Sequence, residues 1–152
     1  MQLDNLPVLN LPQFNFKIKQ EENTSFILDE IRNKFITLTP EEWVRQNFIK
    51  FMTESLKYPK SMIKIEGRLT KGANSKRTDI IVYEKSLSPF MLIECKSSNI
   101  EINQETLNQI AKYNLKVKAP FIVITNGLNH YIFNIDFENN KINQIKEFPE
   151  YK

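Results

Sequence analysis

The sequence predicts a mixed α/β domain: a central sheet with strands of both orientations, flanked by helices and preceded by a β-hairpin. Three observations carry this. Thr39-Pro40-Glu41-Glu42 opens a helix, short apolar runs within 78–84, 90–96 and 121–125 read as strands, and residues 104–116 repeat apolar side chains at helical spacing. With 152 residues, 41% hydrophobic and 26% charged, the chain is long enough for one domain with its own core.

Residues 1–12 hold Pro7 and Pro12 with no clear period and are expected as an arm. Phe14, Phe16 and Ile18 alternate with Asn15, Lys17 and Lys19, a strand pattern; Glu21-Glu22-Asn23 supplies a turn, and 24–29 returns as the second strand of a hairpin. The division is therefore an arm and hairpin over 1–38 and a main domain over 39–152. In the first helix Thr39 caps, Pro40 fits the first turn and Glu42 sits where a capping box places its acid. That helix is expected to reach about Leu56, with Trp43, Val44, Phe48, Phe51 and Met52 as its apolar surface and Glu41 facing solvent.

Strands are expected over 62–68, 78–84 and 90–96, the first two joined through Lys71-Gly72-Ala73-Asn74. The second helix, capped by Asn103, is expected to bury Leu107, Ile110, Ala111 and Leu115. Residues 121–125 are wholly apolar until Thr125, as in a strand covered on both faces, and 130–136 with 142–148 form a closing hairpin around Asn139-Asn140.

Composition excludes several classes. No apolar run approaches the roughly 18–20 residues of a membrane span, and the N-terminus lacks an export pattern, so the cytoplasm is the expected compartment. A single Cys95 and a single His130 argue against a thiolate or imidazole metal centre. The net charge of +3 is uneven: residues 57–96 carry nine Lys/Arg against four Asp/Glu, a local +5, which suits a polyanion or simply a lysine-rich surface.

The stretch Met91-Leu92-Ile93-Glu94-Cys95-Lys96 holds the central chemical signal. Alternation along a strand puts Glu94 and Lys96 on one face and turns Cys95 to the other as a small buried hydrophobe. If a tight two-residue loop at Ser86-Leu87 joins this strand to the one before, facing residue numbers sum to 173. Asp79 then faces Glu94, and Tyr83 faces Phe90. Facing carboxylates repel unless something positive lies between them, and a pair of hard oxygen ligands suits Mg²⁺ or Mn²⁺. An ordinary strand pair with a weak Glu94–Lys96 ion pair stays open as the plainer reading.

The series Asp79, Glu94-Cys95-Lys96 and Gln109-Ile110-Ala111-Lys112-Tyr113 resembles the D…ExK…QxxxY series of the PD-(D/E)xK nuclease superfamily, in its RecB-like branch. "TPEEWVRQ" (39–46), "KRTDIIVYE" (76–84), "MLIECKSS" (91–98), "QETLNQIAKYN" (104–114) and "FIVITNG" (121–127) resemble, more narrowly, the nuclease domain at the N-terminus of type I restriction enzyme R subunits. The similarity covers roughly residues 39–136; Thr78 stands where the superfamily usually has proline.

The resemblance implies a restriction-endonuclease-like fold and Mg²⁺- or Mn²⁺-dependent hydrolysis of DNA phosphodiester bonds. It implies Asp79, Glu94 and the Cys95 backbone carbonyl as metal ligands, Lys96 as the group that orients or deprotonates the attacking water, and Gln109 near the site with Tyr113 supporting a DNA contact. Glu42 has two readings, a water-mediated part in the metal site and a helix cap. Lys71, Lys76 and Arg77 are candidates for phosphate contacts.

An R subunit carries a motor that translocates DNA, and no GxxxxGK[ST] phosphate loop is present here. The chain is then a free-standing nuclease domain, an excised fragment, or a component working with separate motor or specificity subunits; the 38 leading residues argue for an independent protein. The rival readings are a non-catalytic DNA-binding or assembly module that kept the fold, and a homodimer built on the N-terminal hairpin.

Overall fold

One buried and one exposed face build the first sheet. Ile18–Glu21 (β1), Thr24–Asp29 (β2) and Lys34–Thr37 (β3) pair antiparallel in the order β1-β2-β3. In β2, Ser25, Ile27 and Asp29 point inward while their neighbours do not. The expected two-stranded hairpin is thus a three-stranded sheet, and its first strand starts at Ile18 rather than Phe14. Phe16 instead lies edge-on to Trp43, ring centroids 5.2 Å apart. The computed structural model describes residues 3–66 and 79–152, to which every structural statement here refers.

Pro40–Lys50 form α1. Thr39 caps it, its Oγ1 accepting the Glu42 N–H at 3.1 Å. The path continues to Leu56 as expected, but Phe51–Ser55 wind as a π-type turn, closed by the Leu56 N–H on the Phe51 carbonyl. Val44, Phe48 and Met52, at helical spacing, are fully buried.

The second sheet has six strands in the order β4-β5-β6-β7-β8-β9: Ile63–Ile65, Ile80–Tyr83, Pro89–Cys95, Phe121–Thr125, His130–Asp136 and Lys141–Ile145. β6 and β7 run parallel, joined across α2 (Gln104–Val117), and the other neighbours are antiparallel, so the sheet is mixed. Alternate residues of the central strands feed two cores. Ile80, Val82, Met91, Ile93, Cys95 and Val123 pack with α1, while Ile81, Leu92, Ile122 and Ile124 pack with Ile110 of α2.

Two expectations need correction. The β5–β6 loop has three residues, not two: the Glu84 N–H bonds the Ser88 carbonyl, and the Glu84 carbonyl accepts from Leu87, whose φ is +67°. The pairing near the turn therefore shifts by one, and Tyr83 pairs with Pro89 rather than Phe90. A bulge at Val82/Tyr83 restores the sum of 173 for Ile80–Ile93, Ile81–Leu92 and Val82–Met91. On α2, Leu115 is 64% exposed and Asn114 is buried in its place. The Asn114 amide accepts from the Ala119 N–H and donates to the Ala119 carbonyl, both at 2.8 Å, sealing the helix end where Lys118 turns left-handed.

Candidate active site

β6 is buried for four residues from Phe90 to Ile93 and then delivers Glu94 near the C-terminal end of the strand. The register places Asp79, one residue before β5, beside it. The Asp79 N–H bonds the Ile93 carbonyl at 3.2 Å, and Asp79 Oδ2 accepts the Cys95 N–H at 2.7 Å. Lys96 stands on the Glu94 side, Nζ to Oε1 3.3 Å. Its own N–H is held by the Thr125 carbonyl at 2.8 Å, so the parallel β7 fixes this end of the strand. Cys95 turns into the core, completely buried.

From the other side α1 contributes Glu41, Glu42 and Arg45, the arginine lying four residues after the first acid and three after the second, within reach of both. Arg45 is the centre of the cluster, and sequence reasoning missed it. Its Nη2 reaches Glu41 Oε1 at 2.8 Å and Asp79 Oδ1 at 3.1 Å, and its Nη1 donates to Glu42 Oε2. Glu42 Oε1 also accepts from Gln46 at 3.0 Å and lies 3.5 Å from Arg32 Nη2, which comes from the β2–β3 turn. Arg32 is in turn bound to the fully buried Asp29 at 2.6 Å.

Glu42 is therefore the residue capped, its N–H donating to Thr39, while its carboxylate goes to Arg45, Gln46 and Arg32 instead of returning to Thr39 as a capping box would have it. Glu41, expected to face solvent, is ion-paired to Arg45 with its side chain 45% exposed. A polar cleft of about 470 Å³ opens here, lined by Thr39, Pro40, Glu41, Glu42, Arg45 and Ser97.

Burial and the neighbouring Asp79 raise the Glu94 carboxyl to about 7, with Lys96 pulling the other way. Burial also raises Asp79, offset by Arg45 and by the Cys95 N–H. Burial alone would lower Arg45, but the acids around it, Asp79 foremost, hold its guanidinium above the ordinary value. Asp79 and Glu94 each have a cation beside them, Arg45 and Lys96, and both present hard oxygens. The carboxylates of Asp79 and Glu94 are donors of the kind an oxygen-seeking divalent ion takes, with the Cys95 carbonyl and water as the expected further ligands. No three described His, Cys, Asp or Glu side chains form a ready-made metal cage.

Two of the other expected site residues, Gln109 and Tyr113, lie among those described. Gln109 donates to Glu105 on its own helix at 3.4 Å, and no hydrogen bond or ion pair joins it to Asp79, Glu94 or Lys96 among the described residues. Tyr113 packs, partly buried, on the apolar cluster under α2. Lys71, Lys76 and Arg77 lie outside the described residues. Thr125-Asn126-Gly127 form a built turn: Thr125 Oγ1 joins His130 Nδ1 at 2.7 Å and accepts the Gly127 N–H, while Asn126 Oδ1 accepts from Leu128 and Asn129. Gly127 has φ +84°, and a Cβ there would meet Leu9 of the N-terminal arm at 2.7 Å.

A family model for the type I restriction enzyme R protein N terminus matches residues 40–149. No curated protein matches the chain. A solved fragment of a putative HsdR subunit of a type I restriction enzyme from Vibrio vulnificus YJ016 is 22% identical, with a TM-score of 0.38. The match covers 58% of this chain and 16% of that one.

Proposed function

We propose, from the premise that this chain belongs to the type I restriction enzyme R protein N-terminal family, that it is a metal-dependent nuclease domain hydrolysing DNA phosphodiester bonds. One observation carries the reading: β5 and β6 bring Asp79 against Glu94, with Lys96 3.3 Å from the Glu94 carboxylate. A bound Mg²⁺ or Mn²⁺ would supply an acidified water and neutralise charge on the scissile phosphate.

The chain's own groups do the rest. Asp79, held by the Cys95 N–H, and Glu94 present oxygens to the ion. Lys96 orients the attacking water and meets negative charge as it grows on the phosphate. Gln109 and Tyr113, one turn apart on α2, are read as flanking the DNA path. Lys71, Lys76 and Arg77 are read as phosphate contacts from the segment before Asp79. The partners in this reading are DNA and separate translocating or specificity subunits.

One observation favours a second reading. Arg45 already pairs with Asp79, an arrangement that a DNA-binding or assembly module which no longer cuts could keep. Nicking of supercoiled plasmid decides between them. Cutting with Mg²⁺ or Mn²⁺, none with EDTA, and a loss of roughly 10²-fold or more in Lys96→Ala are expected. Folded protein with no metal-dependent nicking, or Lys96→Ala cutting at the wild-type rate, overturns the nuclease assignment.

A further inference from the structure

Asp79 has two carboxylate oxygens, and both are engaged. Oδ2 accepts the Cys95 N–H at 2.7 Å, a backbone bond that fixes the carboxylate on the sheet. Oδ1 accepts from Arg45 Nη2 at 3.1 Å. Oδ1 is held by a side chain rather than by the backbone, so it is the oxygen that can be given up to a divalent ion drawing on Asp79 and Glu94. Arg45's other two acid contacts, to Glu41 and Glu42, lie on its own helix and travel with it. Among the described residues the Asp79 contact is the one that crosses from α1 to the sheet, and it is longer than the 2.8 Å contact that the same nitrogen makes with Glu41.

We propose that Arg45 is the resident cation of this site: its guanidinium occupies the Asp79 oxygen that a divalent ion takes, and yields it when the ion binds. This rests on the metal-dependent reading above and adds a positioning residue to it. Four acids meet here, Asp79, Glu94, Glu41 and Glu42, and among the described residues Arg45 and Lys96, with Arg32 at the edge, balance them. Arg45 is suited to the task because a guanidinium stays charged and its fork serves several carboxylates at once. Its side chain is only 11% exposed, and Nε has no hydrogen-bond partner among the described residues. The group is thus held from its two terminal nitrogens, an attachment that can pivot on the helix when one contact is released. An internal counter-ion of this kind keeps Asp79 ordered before loading and sets how much ion is needed to load the site.

A clamp that merely braces the site and a cation that competes with the metal predict opposite results. Mn²⁺ binding, followed by the loss of its free electron-paramagnetic signal without DNA, separates them. Arg45→Met is expected to bind Mn²⁺ about tenfold tighter than wild type, because a competing charge is gone. Arg45→Lys is expected to fall between, and Glu94→Gln to lose binding. Equal or weaker binding by folded Arg45→Met overturns the proposal while leaving the nuclease reading intact; absence of Mn²⁺ binding in every variant overturns both.

Should Arg45→Met fail to fold, wild type alone decides. The Arg45 Nε–H signal in nitrogen-correlated NMR is expected to shift as Mg²⁺ is added and to saturate with it. A signal unmoved at saturating Mg²⁺ overturns the proposal.

Discussion

The two sheets are built on different principles. β6, at the middle of the larger sheet, buries Phe90, Met91, Leu92 and Ile93 in succession because helices cover both faces. β1 and β3 of the smaller sheet contain no buried residue, and only β2 turns three side chains inward. The smaller sheet reaches the body largely through charges: Arg32 to Glu42, and Glu30 to both Lys50 and Lys60 at 2.8 and 2.7 Å. The apolar sheet supplies rigidity, and the candidate chemistry sits where that rigid strand runs out. The charged sheet supplies contacts that reach the same acids from outside.

Three substitutions test this contrast. The largest loss is expected at the centre: Leu92→Ala should cost about 4 kcal/mol of stability in a urea melt, because it empties a site enclosed on both sides. Next comes Asp29→Ala. It should cost about 2–3 kcal/mol, since Asp29 is fully buried and accepts from the Ile31 and Arg32 N–H groups and the Arg32 side chain. A single urea transition for both variants would mean that the two sheets unfold as one unit, and two transitions that they do not.

Opposite in sign is Glu94→Gln, which should stabilise by up to about 3 kcal/mol at pH 8. The Glu94 carboxyl sits at about 7 when folded against 4.5 otherwise, so the folded state binds the extra proton between those values. Its contribution is fully present below pH 4.5 and is lost as pH rises to about 7. Melts at pH 4 and pH 8 check the sign: the variant should match wild type at the lower pH and exceed it at the higher.

Much of this was legible in the sequence because strand alternation and turn position are local rules. The sum of 173 survived a wrong loop length, since the bulge at Val82/Tyr83 corrected the offset before the pairing reached Ile80. Asp79 and Glu94 could therefore be placed together. Arg45 could not be placed in this way. Spaced i+3 and i+4 from Glu42 and Glu41, it looks like a surface ion pair on a helix, and its contact with Asp79 spans 34 residues. The Glu-Glu-x-x-Arg spacing was the available signal, but it says nothing about what lies across the gap.

Strand β3 escaped for a related reason. Its four residues, only Ile36 of them less than exposed, carry almost no burial pattern, so pairing with β2 rather than periodicity defines it. Leu115 and Asn114 exchanged places because helix closure at Ala119 needed an amide inside.

Trp43 is the chain's single tryptophan, and its indole N–H donates to the Pro7 carbonyl at 3.0 Å. It lies on α1 between Glu42 and Arg45, with the arm on one side and Phe16 against its ring. Its emission is thus an intrinsic optical gauge of the arm. Lifting of the arm would hydrate the indole and move its fluorescence to longer wavelength, so undocking can be followed on unlabelled protein while the neighbouring acids are titrated.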